Sequence, residues 1–184
     1  MYDIVFLANA IGAAYEKFLV PFAYFALAHH PQGFVEMLVV NRQRFEAAYR
    51  SELEELRRLH PNFMVRNMRR PPNGKHIPNT YRFFEVPETK ATYTFTMDVD
   101  VMLLENIVPR YEKMWPAGLA INNIIRPRTT RLTGMHMVRS EQYFTAELLA
   151  QQALTYAKKP RNMNDEVVLH DMVRSCHTLP PTDF

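Results

Sequence analysis

Apolar positions along this chain of 184 residues alternate between short continuous runs and a spacing near 3.6, a pattern that predicts strands interleaved with helices. Ile4 to Leu7 reads as a strand. Gly12 to His29 reads as a helix with Phe18, Phe22 and Phe25 at helical spacing, kinked or restarted at Pro21. Phe34 to Val40 is a second strand. Arg42 to Leu59 reads as one amphipathic helix, with Phe45, Tyr49, Leu53 and Leu56 forming an apolar stripe and charges filling the solvated face. Asn62 to Arg66 is a short third strand, and Pro71-Pro72-Asn73-Gly74 is a turn. Asn79 to Glu85 reads as a short helix, followed by a central strand from Tyr93 to Met97 rich in β-branched and aromatic residues.

In the latter half, Glu105 to Tyr111 reads as helical, while Leu119 to Ile125 and Arg131 to Val138 are extended runs able to pair antiparallel. Ser140 is expected to cap a helix running to about Lys158, with Phe144, Leu148 and Leu149 on its apolar side. Asn164 is expected to cap a helix from Asp165 to about Arg174, and Pro180 and Pro181 end regular structure. This order predicts an α/β fold with a mostly parallel central sheet flanked by helices. Sites in such sheets gather at the carboxyl ends of strands. Asn9 and the pair Asp98 and Asp100 fall at two such ends. The basic stretch from Arg66 to Lys75, with its prolines and glycine, is the expected mobile loop over the site.

Composition narrows the class. A hydrophobic content of 47% over 184 residues suits one domain with a substantial core. The net charge of +3 is modest, and the basic residues form no long stripe with stacking aromatics, which argues against a dedicated nucleic-acid binder. Cys176 is the single cysteine, so no intrachain disulfide forms and a reducing cytoplasmic setting fits best. No apolar run reaches the roughly 18 to 20 residues of a membrane span, and a signal-peptide lead is not evident. Peripheral attachment to a membrane or to a larger protein stays open, with Gly12 to Ala28 as the segment that would lie on the surface.

Candidate chemistry centres on Thr96-Met97-Asp98-Val99-Asp100, where a β-type run delivers two carboxylates one residue apart. In a strand both point the same way past Val99; in a turn both can still converge on one ion. Mg²⁺ and Mn²⁺ take one or two carboxylates together with waters and phosphate oxygens, so a diphosphate is the natural partner. The competing reading is a surface turn with two solvated aspartates. His136, in a Gly-Met-His-Met run, either faces the cleft or is a hydrogen-bonded core histidine. Gly134 either leaves room for a sugar beside the backbone or forms a bulge. Asp165 and Glu166 are either catalytic carboxylates or ordinary first-turn acids favoured by the helix dipole.

The segment Asn79-Thr80-Tyr81-Arg82-Phe83-Phe84, followed by Tyr93 through Leu104, resembles the core of GT-A-type nucleotide-sugar glycosyltransferases. There a short helix carrying an Arg precedes the strand ending in a D-x-D motif. Tyr2 through Asn9 resembles their first strand, Leu132 through Val138 their later strand beside the acceptor, and Asn164 through Leu169 the acidic helix start that follows. These pieces occur in order over residues 2 to 169. The resemblance implies a single GT-A-like domain, 1–184, with a Rossmann-like nucleotide-sugar half over 1–100 and an acceptor-side half over 101–184. It implies Mn²⁺ or Mg²⁺ held by Asp98 and Asp100, and a nucleotide-sugar donor, uridine-based by resemblance alone, contacted by Ala8, Asn9, Arg82, Asp98, Val99, Asp100 and His136. Asp98 would bridge the ribose and the metal, Asp100 coordinate it directly, and Arg82 meet phosphates or sugar hydroxyls. Asp165 or Glu166 would be the base of an inverting transfer, whereas a retaining transfer needs none. The acceptor would be a glycan, a glycolipid or a glycoprotein. The C-terminal His motif that supplies a third metal ligand in retaining members has no match near His177.

Two other classes remain. A nucleotidyltransferase acting on sugar phosphates is expected to carry a Gly-rich phosphate loop after its first strand, but Ala8-Asn9-Ala10-Ile11-Gly12 has one glycine. Against a non-catalytic nucleotide-sugar-binding or interaction domain that has lost turnover stands the intact aspartate pair. Hydrolytic triads lack support, since no G-x-S-x-G elbow occurs and the adjacency of Cys176 and His177 does not make a dyad.

Overall fold

The structure, a computed structural model, describes residues 1–123, 125, 129–158 and 164–180. Strand β1 (Tyr2–Asn9) leads through the short helix α1 (Ala13–Glu16) into α2 (Leu19–His29) and strand β2 (Gly33–Val39). Helices α3 (Arg42–Ala48) and α4 (Arg50–Leu59) then lead to β3 (Phe63–Asn67). A 3₁₀ helix (Pro78–Phe84) precedes β4 (Ala91–Thr96). The second half runs through α5 (Val108–Lys113), β5 (Ile121–Asn122), β6 (His136–Arg139), α6 (Ser140–Tyr143), α7 (Ala146–Ala157) and α8 (Asp165–Arg174).

The six strands form one sheet in the order β3-β2-β1-β4-β6-β5. β1, β2, β3 and β4 are mutually parallel, whereas β6 pairs antiparallel with both β4 and β5. The chain steps outward from β1 to β3 and then returns to place β4 on the other flank of β1. The reversal between β1 and β4 opens a crevice at their carboxyl ends, the usual ligand position in doubly wound sheets.

Alternation along the strands divides the core in two. Ile4, Phe6, Ala8, Val35, Met37, Val39, Phe95 and Met137 face α2, α3 and α4. Leu7, Leu38 and Val138 face the 3₁₀ helix, α7 and α8. Burial on both faces explains the near-continuous apolar run of β1, as parallel strands require.

The expected α/β architecture is borne out, with local differences of physical origin. The Gly12–His29 helix is two pieces; Pro21 sits in the first turn of α2, where its missing N–H costs nothing. The Arg42–Leu59 helix breaks at Tyr49, which leaves helical geometry (φ −118°, ψ 29°) and packs its ring on Phe45 at 4.7 Å. Phe45, Leu53 and Leu56 all stay in the core. The 79–85 helix is a 3₁₀ helix. Ser140 does not cap a long helix: its hydroxyl hydrogen-bonds the Thr94 hydroxyl at 2.9 Å, and Thr145 caps α7 instead. Asn164 caps α8 as expected. Ile125 bridges Leu132 antiparallel, extending the expected pairing of the two late runs; Ile124 and Pro181 lie outside the described residues.

The stretch Arg66–Lys75 does not lie over the crevice. Arg66 is a buried residue of β3, donating to Glu36 Oε2 at 2.8 Å, to Glu85 Oε2 at 2.9 Å and to the Val86 carbonyl at 2.9 Å. The following residues are tied to the 3₁₀ helix and to α7, with Arg70 donating to the Phe84 carbonyl (3.0 Å), Tyr81 to Asn73 (2.8 Å) and Lys75 to the Ala157 carbonyl (2.7 Å).

Candidate functional site

At the carboxyl ends of β1 and β4, a cleft of about 250 Å³ is lined by Asn9, Ala10, Ile11, Tyr15, Pro78, Asn79, Arg82, Asp98, Val99 and Asp100. The positions of these residues follow from the local chain. β4 ends at Thr96, and residues 98 to 101 form a turn closed by the Val101 N–H donating to the Asp98 carbonyl at 3.4 Å. Val99 is buried in the core at 3% exposure, which pins the turn and leaves both aspartates outward. The turn, rather than a continued strand, thus presents the pair. The Asp98 side chain is 47% exposed.

Arg82 is delivered by the 3₁₀ helix, which Tyr81, Phe83 and Phe84 hold in the core and which the Gln152 amide grips through the Phe83 carbonyl at 2.9 Å. Its guanidinium spans two carboxylates, pairing with Asp98 through Nη1 and with Asp165 through Nη2 at 3.2 Å. The side chain is 4% exposed, yet its Nε–H has no hydrogen-bond partner. Gly134 makes this pose possible: a Cβ there would fall 2.1 Å from Nη2. The glycine therefore clears space for a guanidinium, a role sequence reading had given to a sugar or a bulge.

The expected site residues divide. Asn9, Arg82, Asp98, Val99 and Asp100 share the cleft. Ala8 lies one residue earlier on β1 with its side chain fully in the core, and Ala10 lines the cleft in its stead. Asp165 sits behind Arg82 in the first turn of α8, and Glu166 is 9% exposed beside it; neither lines the cleft. His136 is 4% exposed, near Phe83 (5.8 Å) and Tyr143 (6.3 Å). Burial, reinforced by the Arg82 charge, pushes its pKa down to about 3, so it is neutral, and its Nδ1 has no hydrogen-bond partner.

Tyr15 was missed. It is half exposed on the helix that follows β1 and lines the cleft. The available signal was an aromatic within the turn that follows a strand end, at a position where the helical pattern has no use for it. Among the described residues no group of three His, Cys, Asp or Glu converges. His177 is remote from the aspartate pair, donating from Nε2 to the Tyr143 carbonyl at 2.8 Å and stacking on that ring. No helix among the described residues is long and apolar enough to cross a membrane.

No protein-family model and no curated protein sequence matches the chain. Solved structures do. The glycosyltransferase GlyE of Streptococcus pneumoniae TIGR4 in its apo form superposes with a TM-score of 0.62 at 10% identity, covering 97% of this chain and 44% of GlyE. The galactosyltransferase LgtC in complex with donor and acceptor sugar analogues gives 0.57 at 15%, covering 92% and 70%. The mannosyltransferase PcManGT from Pyrobaculum calidifontis, in complex with GDP-Man and Mn²⁺, gives 0.57 at 10%, covering 100% and 56%. A 4-diphosphocytidyl-2C-methyl-D-erythritol synthase from Anaerococcus prevotii DSM 20548 gives 0.54 at 7%, covering 92% and 84%. The chain thus has the GT-A fold and spans less than half the length of GlyE.

Proposed function

We propose that this chain is the donor-binding core of a metal-dependent glycosyltransferase that takes its sugar from a nucleoside diphosphate, with a UDP-sugar the first donor to test and a glycan, glycolipid or glycoprotein as acceptor. The observation that carries the reading is the gathering of Asn9, Arg82, Asp98 and Asp100 in one cleft at the sheet's switch point. Tyr15 supplies a flat aromatic face for a base, and Asn9 a side-chain amide for the base or ribose.

Asp98 and Asp100 fit a hard divalent cation. They are oxygen donors at a polar cleft, and such an ion completes its shell with waters and phosphate oxygens, so two protein carboxylates suffice. Mn²⁺ or Mg²⁺ there would neutralise the charge of the departing diphosphate. Arg82 is the second cation of the site, always charged and shaped for bidentate contact with phosphate oxygens. Buried and held at one end by Asp165, it stabilises charge that develops as the bond to the anomeric carbon breaks. In this reading Asp165 holds Arg82 and is a positioning residue. Glu166, in the same helical turn, is nearly buried and outside the cleft lining. A retaining course, in which the departing phosphate takes the acceptor proton, asks nothing of either.

The fold shared with the erythritol synthase, and the larger share of that protein covered, favour a nucleotidyltransferase as the second reading. Against it, no basic residue follows β1 until Lys17, so the turn after β1 offers a triphosphate one glycine and no cation. Calorimetric titration with UDP, GDP and their sugars, and with the nucleoside triphosphates UTP and CTP, in Mn²⁺ and then in EDTA, tests the proposal. Metal-dependent binding of one diphosphate family, followed by hydrolysis of its sugar, supports the transferase. Binding of triphosphates alone would transfer the case to the second reading, and no binding of either kind would return the function to an interaction domain.

A further inference from the structure

We infer that Arg82 couples the two ligands of the cleft, because it pairs with one oxygen of a carboxylate that the cation needs. This rests on reading the cleft as a metal and diphosphate site. Asp98 Oδ1 is paired with Arg82 Nη1, so the guanidinium offsets the charge of this carboxylate and contends with a divalent ion for one of its two oxygens. The Asp100 carboxylate and, at reduced charge, the second Asp98 oxygen are left for the ion, a weak pair of ligands for Mn²⁺.

The guanidinium has a reason to move. Its Nε–H is buried without an acceptor, so this pose leaves one of its five donors unsatisfied. Nη2 stays anchored on Asp165, whose carboxylate is 10% exposed, while the Asp98 end opens on the cleft. A diphosphate entering there offers oxygens to the Asp98-facing edge of the fork. Rotation about the Asp165 anchor passes Nη1 from carboxylate to phosphate, and the whole Asp98 carboxylate, at full charge, becomes available to the ion. Metal and nucleotide then bind with positive coupling, reciprocal by thermodynamic necessity.

Neutral surroundings favour this arrangement. His136 on β6 is close enough for the Arg82 charge to lower its pKa, and it carries no charge near neutral pH. The opposing charges at Arg82 are those of Asp98 and Asp165 among the described residues.

The test is titration of Mn²⁺ into the full chain with and without saturating UDP, and with GDP in a parallel series, read by calorimetry and by the free Mn²⁺ paramagnetic signal. The wild type is expected to bind Mn²⁺ about tenfold or more tightly once nucleotide is present, within the usual range of coupling. In Arg82→Leu the ion alone should bind several-fold more tightly than in the wild type, and the nucleotide's enhancement should fall to what phosphate coordination supplies. Because Arg82→Leu strands a buried Asp165, its folding is checked by thermal unfolding, and Gly134→Ala provides a second variant that displaces the same guanidinium with no change of charge. Enhancement that stays at the wild-type level in both variants would overturn the coupling and leave the cleft reading intact. A wild type that binds neither ligand would instead overturn the cleft reading, and the coupling with it.

Discussion

Two arginines in this molecule each lie between two carboxylates, and they serve opposite ends. Around Arg66 every oxygen is engaged: Glu36 also accepts from the Glu88 and Thr89 N–H groups (2.8 and 2.7 Å), and Glu85 from the Arg70 N–H (3.1 Å). Both glutamate side chains are fully buried. Around Arg82 one carboxylate is half exposed in the cleft and one guanidinium N–H is unpaired. A satisfied buried network fixes one conformation, whereas a partly satisfied one has somewhere better to go. The difference separates a strut from a working part, even though both arginines are nearly buried.

The strut breaks with the largest effect. Arg66→Leu leaves two buried carboxylates without their cation and should cost about 3–5 kcal/mol in urea unfolding. A loss under about 1 kcal/mol would mean that the network contributes little and would erase the contrast. Asp100→Ala is the matching change on the cleft side. It should weaken metal-dependent nucleotide binding roughly 100-fold, the upper end of what even outer partners of metal ligands supply. Stability should move by less than about 0.5 kcal/mol, as for exposed sites generally. Loss of the fold instead would make that aspartate structural.

Sequence and structure agree most where one residue's chemistry settles its surroundings. The strands, the cap at Asn164 and the aspartate turn were legible because periodicity and turn chemistry are local. The interruptions at Tyr49 and Phe144 were not, because the apolar stripe continues across both breaks and only packing against the sheet reveals them. Arg66 was read as part of a mobile basic loop since its partners Glu36 and Glu85 are 30 and 19 residues away. The same distance effect hid the partnership of Arg82 with Asp165 and Gly134. His136 stayed ambiguous because a strand's alternation gives a side but does not say whether that side is cleft or core.

That histidine supplies a pH prediction. His136 and His30 both have pKa values lowered by burial, His136 to about 3, and His30 accepts from the Ile107 N–H at 3.0 Å through Nε2 while its Nδ1 bonds the Ala26 carbonyl at 2.7 Å. The unfolded chain, with histidines near 6.5, takes up protons first as pH falls. Stability contributed by the neutral rings is therefore present above about 6.5 and lost progressively below it, for His136 down to about pH 3. The slope should approach about 1.4 kcal/mol per pH unit for His136, with His30 adding to it in the same direction. Urea midpoints between pH 7.5 and 4.5 check this, and His136→Leu should flatten the slope by one ring's share. An unchanged slope would show that the ring beside Arg82 is as accessible to protons when folded as when unfolded.

The smallest expected effect concerns the mount of Arg82's inner anchor. Asn164 caps α8 by accepting from the Glu166 N–H at 2.8 Å, and Asp165 stands in the turn so capped. Asn164→Ala should cost about 1 kcal/mol, the usual value of a lost cap. The same change at Thr145, which caps α7 by accepting from Leu148, should cost a similar amount. The two differ in what else moves. Loosening α8 lets Asp165 drift and with it the inner end of the Arg82 fork, so Asn164→Ala should also weaken nucleotide binding by a few-fold, while Thr145→Ala should not. Equal effects of the two caps on binding would mean that the carboxylate behind Arg82 needs no precise placement, and that the asymmetry between the two arginine clusters lies wholly on the side facing the cleft.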